Sequence, residues 1–466
     1  MLSCLTPSFL RGSDSNKPLA YDVRPRPRTS PLDGIRGYAA LSVLNYHVLY
    51  AYQSFVFYGY GVPSGALEDC ARPGDRQSHN RWLHQLPILR LVYTGTWPIS
   101  IFFVLSGFAL SHKPLTYLQR QDQGYAQAVA AVASGFIRRP FRLYGPPVLA
   151  TLMTMLLIQW GLYEHGRSIS ENTEWVPVIA EVHHRRLDSF SAQLIDWFRQ
   201  TSKLLRIFWW GDLYNQYDVH LWTISAEFRC SLAVFAMLPP YMALKPRVRT
   251  IFIMVLVVYV YLLERWDVAL FFSGILIADT SINLHQGNAT ITDGKPVRQM
   301  LLTAFKLSLV ALSLLLLSSP DFCVSATPAT RILSYLIPSS DAAPFRFLPN
   351  LGSIILIGVI AHTPSTNRAL SVFLNSAIPQ YLGRISYSLY IVHGPLIHVV
   401  GYSIFQALWN LTGRENVWRY CAGFFTAYFV FLAIVVYVAD IFWMAIDMPC
   451  VSMAKFLHDM FVTNKA

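Results

Sequence analysis

Long apolar runs alternate along this chain with short polar stretches rich in Pro, Lys and Arg. The runs fall at roughly 34–56, 88–111, 145–163, 221–243, 249–264, 267–285, 299–318, 349–363, 380–402 and 420–446. Each is close to the length at which a helix crosses a bilayer. Lipid offers no partner for an open backbone N–H or C=O, so runs of this kind are read as helices. The pattern predicts an all-α fold, a polytopic transmembrane helix bundle of about ten spans. Residues 1–30 are polar and Pro-rich, carry Arg11, Lys17, Arg24, Arg26 and Arg28, and lack an apolar core long enough for a signal peptide. They read as a disordered basic cytosolic tail. Residues 31–450 read as a single membrane domain without internal repeat, and 451–466 as a cytosolic C-terminal tail. The longest break, 164–219, mixes charges and predicts an amphipathic interfacial helix near 190–210.

Composition sharpens this picture. With 54% hydrophobic and only 14% charged residues, an ordinary soluble domain is excluded. The net charge of +11 invites a nucleic-acid reading, but the basic residues gather in short loops beside the apolar runs. That placement is the positive-inside signature, and it also suits anionic lipid or phosphates; no nucleic-acid partner is expected. The tail, the segment bearing Lys113, Arg120, Arg138, Arg139 and Arg142, the Lys245/Arg247/Arg249 loop and the Lys295/Arg298 loop are assigned to the cytosol. An even number of spans puts both termini there. Of two glycosylation sequons, Asn410-Leu-Thr412 falls on the lumenal side and Asn288-Ala-Thr290 in the cytosol. The six cysteines show no CxxC spacing, so no metal site is indicated. Cys70 and Cys323 fall in loops on the same non-cytosolic side, and sequence alone leaves their pairing open.

Candidate chemistry starts in the first run. Arg36 sits near its water boundary, and His47 lies roughly 16 Å deeper at helical rise. Both are costly in lipid, which marks them as functional candidates: His47 as a general base, Arg36 to hold a phosphate or organise Asp33. Equally, Arg36 can snorkel and His47 can bond a neighbouring helix. Ser106 and Gly107, in Phe102-Phe-Val-Leu-Ser-Gly-Phe108, allow close approach of a helix or of a thin pantetheine-like arm. Arg138, Arg139 and Arg142 form a basic cluster just before the third span, suited to a nucleotide's phosphates or to ordinary membrane orientation. Glu227, about two turns inside the fourth span, is available to orient an imidazole, bind an acceptor or pair with a cation. His393, read inward from the cytosol, reaches about the depth of His47. His183-His184 looks like part of a di-iron box, but the other histidine clusters are missing. Lys306, Asp279 and Asp440 tempt a proton- or ion-path reading, but they are few and lie on separate spans.

Taken in order, these segments resemble the acyltransferase-3 family of integral-membrane O-acyltransferases. The resemblance rests on Leu32-Asp-Gly-Ile-Arg36-Gly37, with Arg36 and His47 at the family's Arg-x10-His spacing, and on Phe103-Val-Leu-Ser-Gly-Phe108 and Arg139-Pro-Phe-Arg142. It continues through Leu221-Trp-Thr-Ile-Ser-Ala-Glu227 and Leu382-Gly-Arg-Ile-Ser-Tyr-Ser-Leu-Tyr-Ile-Val-His393. Asp447-Met-Pro449 looks like the family's closing Glu-x-Pro with Asp substituted, and Phe228 stands where a second carboxylate often follows Glu227. The resemblance implies transfer of an acyl group, commonly acetyl, from cytosolic acyl-CoA to a hydroxyl. Acyl-CoA is then a co-substrate, and no permanently bound cofactor is expected. His47 becomes the catalytic histidine and Arg36 its partner; Ser106, Gly107, Arg139 and Arg142 belong to the donor side. The stand-alone form looks more like fungal members of secondary-metabolite pathways, which suggests a small hydroxylated acceptor and an endomembrane such as the endoplasmic reticulum. A glycan or lipid acceptor, a transporter or flippase and a non-catalytic scaffold remain the alternatives.

Overall fold

The computed structural model describes residues 7–8, 27, 29–72, 80–120, 123–208, 214–287, 296–339, 343–364 and 367–461. Every regular element among them is a helix. In order these are α1 (Ser30–Tyr52), α2 (Ser64–Cys70), α3 (Thr96–Leu118), α4 (Gly124–Gln159), α5 (Leu162–Ser170), α6 (Phe190–Leu204), α7 (Trp222–Ala243) and α8 (Pro246–Leu262). There follow α9 (Trp266–Gly287), α10 (Pro296–Leu317), α11 (Pro344–Ala361), α12 (Arg368–Phe373), α13 (Ala377–Leu396), α14 (Tyr402–Thr412), α15 (Val417–Phe442) and α16 (Met448–Phe461). Eight helical stretches among the described residues are long and apolar enough to cross a membrane. All ten predicted runs fall on helices, but α1 and the 17-residue α8 are not among the eight. Polar side chains thin out α1: Ser42 donates to the Leu91 and Thr94 carbonyls at 2.8 and 2.9 Å, and Asn45 to Val92 at 2.8 Å.

Several boundaries differ from the sequence reading. The second run starts at Thr96 rather than near 88, because Ile88 has φ 70° and Leu89–Val92 forms a separate 3-10 turn. That turn carries Arg90, fully buried, whose guanidinium donates to the carbonyls of Ser318 and Val56 at 2.8 and 2.9 Å. The helix of the third run, α4, begins at Gly124, well before 145. Its first turns, Ala126-Gln-Ala-Val-Ala-Ala-Val-Ala133, are mostly Ala, the best helix former, and continue the helix N-terminal to the arginines. Arg138, Arg139 and Arg142 therefore lie inside α4 and not in a loop before it. Most of the tail, including Arg11, Lys17, Arg24, Arg26 and Arg28, lies outside the described residues, as do Lys295 and the Asn288 sequon. Pro7 and Ser8 are described and buried; Ser8 donates from its amide and hydroxyl to Asp440 at 2.5 and 2.7 Å. At the other end the chain stays helical to Phe461, through a π turn at Trp443–Asp447 that precedes Pro449. A widened turn of this sort accommodates a residue without an N–H. α6 matches the predicted amphipathic helix: Gln193, Gln200 and Thr201 are buried while Phe190, Ile195 and Phe198 are exposed.

The chain sorts into two compact units interleaved along the sequence. The larger comprises Pro27–Phe136 and Arg229–Gly383. Within it α3 and α9 meet at two glycines: a methyl group on Gly107 would collide with the Phe271 carbonyl, and one on Gly274 with that of Val104. Arg249 and Asp279 form a buried bidentate pair at 2.5 and 2.8 Å, and Tyr241 adds a hydrogen bond of 2.8 Å to the same carboxylate. Lys306 caps the end of α11 by donating to the His362 carbonyl at 3.1 Å. Asp279, Lys306 and Asp440 thus each hold a structural partner, which is the fate of most charges that survive in apolar helices.

Cys70 and Cys323, both in the larger unit, are joined by a disulfide. It closes a loop of 253 residues and removes much of the unfolded chain's freedom. Cys70→Ser is expected to lower stability by about 2–4 kcal/mol. The check is thermal unfolding of detergent-solubilised protein with and without reductant: the parent should lose the increment on reduction, and the variant should not respond.

Candidate active site

α1 delivers Arg36 and His47. Glycines bring its first turn against the start of α13: a methyl on Gly37 would strike the Pro379 carbonyl, and one on Gly383 the Asp33 carbonyl. The Leu32-Asp-Gly-Ile-Arg-Gly37 and Leu382-Gly383 segments therefore pack on each other, as neither spacing alone could reveal. Arg36 donates to the Gly383 carbonyl at 2.8 Å and pairs with Asp33 at 3.1 Å, so it is tied to both segments. His47 is half-buried, with Tyr46 and Tyr50 edge-on at ring separations of 5.4 and 5.0 Å. Tyr46 is anchored in turn by Asp321, which accepts from its hydroxyl at 3.1 Å and from Thr96 at 2.5 Å. Burial lifts the Asp321 carboxyl above its usual range, although Thr96 and the nearby Arg90 pull it down. Asp321, two residues before the disulfide's Cys323, was missed in the sequence because it sits in a loop with no periodicity around it. In the same unit Ser106 is half-buried on α3, beside Gly107.

The remaining candidates belong to the smaller unit, Met1–Arg26, Ile137–Phe228 and Arg384–Ala466. Here Arg139 of α4 pairs with Glu227 of α7 at 2.5 Å, both largely buried. Arg138 is half-buried and Arg142 exposed on the same helix, and Tyr387 donates to the Leu143 carbonyl at 2.6 Å. His393 is 1% exposed, and its Nδ1 lies 2.6 Å from the Tyr390 carbonyl. Its ring stands 4.6 Å from that of His220.

His220 opens onto a chain of buried polar groups. Its Nδ1 meets Asp218 at 2.9 Å and its Nε2 meets Glu181 at 3.1 Å. The second Glu181 oxygen meets His398 Nε2 at 2.9 Å, and His398 Nδ1 meets His183 Nε2 at 2.8 Å. Ser170 ends the row, 3.0 Å from His183 Nδ1. Burial alone would raise the Glu181 carboxyl, but the facing imidazoles of His220 and His398 outweigh it and hold the group well below the ordinary range. Burial, with His398 adding to it, drops His183 from 6.5 to about 3. His183 is therefore half of an imidazole pair with His398, and His184 instead meets Asp196 at 2.7 Å. The doubled histidine at 183–184 was visible in the sequence, but only as a fragment of a di-iron box whose other clusters are missing. Glu181, Asp218 and His398 gave no signal by spacing.

These features define an all-helical multi-pass membrane protein whose apolar helices carry buried imidazoles and paired arginines. The acyltransferase-3 family's acyltransferase domain matches residues 31–444, and the chain belongs to that family. It is similar to the O-acetyltransferase PaAT-1 of Phomopsis amygdali, 26% identical over 98% of this chain and 88% of the relative. Similarity also extends to acyltransferase clz18 of Cochliobolus lunatus, 25% identical over 91% and 94%. Acyltransferase R4 of a Phoma species is 24% identical over 93% and 96%. No solved structure matches the chain.

Proposed function

We propose that this acyltransferase is an acyl-CoA-dependent O-acyltransferase, moving acetyl from acetyl-CoA to a hydroxyl of a small acceptor such as a terpenoid or polyketide alcohol. One observation carries the reading: a half-buried imidazole, His47, lies on the same helix as Arg36, which is anchored to a second family segment. His47 takes the acceptor's hydroxyl proton, the oxygen attacks the thioester carbonyl, the C–S bond breaks, and the proton returns to the departing thiolate. An acyl-histidine relay satisfies the same residues. Arg138, Arg139 and Arg142 receive the donor's phosphates, Ser106 lines the donor's path while Gly107 beside it is taken up by the close packing of α9, and Glu227 and His393 serve the acceptor step. The likeness to PaAT-1, an O-acetyltransferase, supports an acetyl donor. The disulfide supports a lumenal, oxidising side for Cys70 and Cys323 in the endoplasmic reticulum, with about ten spans and cytosolic termini. Asn410, exposed at the end of α14, is proposed as a glycosylation site on that side, and α6 as a helix lying in the bilayer interface.

Arg142→Ala is expected to raise the KM for acetyl-CoA about tenfold, the worth of one charge-assisted phosphate contact. Arg139→Ala should also lower stability, because it strands Glu227. Equal KM values for Arg142→Ala and parent would remove the phosphate role. The whole reading is tested by incubating purified protein with labelled acetyl-CoA and hydroxylated acceptors. Label on a terpenoid or polyketide alcohol is the expected result, label confined to glycans or lipids changes the acceptor class, and no transfer at all rejects the enzyme.

A further inference from the structure

Glu181 comes from the loop between α5 and α6, outside the membrane-spanning helices, yet it is 7% exposed and holds two imidazoles from separate helical segments. A carboxylate only accepts, so the facing nitrogens of His220 and His398 carry its two N–H donors. Asp218 faces the other ring nitrogen of His220, which fixes that ring in the doubly protonated pattern and in one orientation. His398 lies in a π turn, Ile397–Gly401, that follows Pro395. Such turns re-aim side chains and recur at functional positions. Gly394 leaves room for the His220 ring, since a methyl there would stand 2.5 Å from Nδ1, and one on Gly166 would collide with the His398 carbonyl. Gly394 and Asp218 thus place the His220 ring, Gly166 and the π turn place His398, and Glu181 joins the two; the His220 ring is itself 4.6 Å from His393.

We propose that Glu181 is a positioning residue for acyl transfer, holding His220 and His398 in fixed orientation and so setting the polar surface beside His393. The proposal rests on the O-acyltransferase reading. A Gln in its place offers one oxygen and one amide, and its N–H groups would oppose an imidazole N–H, so one ring must turn or lose its proton. Glu181→Gln is expected to lower kcat about 10–100-fold, the usual effect of an outer partner of a functional side chain, with the KM for acetyl-CoA within about twofold of the parent. Glu181→Asp keeps the charge and should recover most of that loss. If Glu181→Gln does not yield folded protein, folded Glu181→Asp carries the test, with kcat lowered several-fold at unchanged KM. A folded variant with parental kcat overturns the positioning role alone, as does a Gln variant that Asp cannot improve upon. Failure of the parent itself to acylate any hydroxyl from labelled acetyl-CoA overturns the enzyme reading, and the positioning role falls with it.

Discussion

His47→Ala should abolish acyl transfer, lowering kcat by about 10²–10⁴-fold, the range that a positioned general base contributes. The protein should survive the change. His47 is half-buried on a 23-residue helix held by other side chains, Ser42, Asn45 and Arg36 among them. Alanine is also the best helix former, so the backbone of α1 gains rather than loses. What disappears is the titratable ring between Tyr46 and Tyr50, and with it the route for the acceptor's proton. The assay is transfer of labelled acetyl to a hydroxylated acceptor, run beside thermal unfolding of the same preparation. Parental transfer by a folded His47→Ala protein rejects His47 as the base, whatever the acceptor. Tyr46→Phe tests the support: losing the hydroxyl bond to Asp321 should cost activity far less than losing the imidazole, because the ring that flanks His47 remains.

The largest expected effect on stability is elsewhere. Asp279→Ala should destabilise the protein by about 3–5 kcal/mol, because it leaves the Arg249 guanidinium buried without its counter-charge. Arg249 is 5% exposed and Asp279 is fully buried, so neither water nor headgroups can replace the missing carboxylate. Tyr241, which donates to the same carboxylate, would lose its partner too. Replacing both members of the pair, as in Arg249→Met with Asp279→Leu, should recover most of the loss, since two apolar side chains carry no desolvation penalty. Unfolding midpoints in one detergent for parent, single and double variants decide it. A single variant as stable as the parent would show that the pair contributes nothing.

How much of this was legible beforehand depends on the range of the interaction. α1, α7, α9 and α15 follow from apolar runs, because hydropathy and length are properties of neighbouring residues. The first turns of α4 escaped, since Arg138, Arg139 and Arg142 interrupt the apolar run inside one continuous helix. Arg249 read as one charge of a cytosolic loop, and it became buried because α8 begins at Pro246 and places it in the first turn. Asp279 read as an isolated charge in an apolar run, and its partner Arg249, 30 positions away, shows only in the packing. Glu181 and His398 are 217 positions apart, and no local period links them.

From residue order alone came the membrane class, the helical runs and the succession of short segments that places the chain in its acyltransferase family, with Arg36 and His47 as its leading pair. Those depend on hydropathy and on motif spacing, both of which are written locally. The tertiary structure decided which charges are structural, that Arg139 meets Glu227, that Asp321 steadies Tyr46, and that Glu181 gathers histidines from distant segments. The reason is physical: a buried charge persists only where a partner arrives, and which partner arrives is set by how helices pack rather than by what lies beside it in sequence.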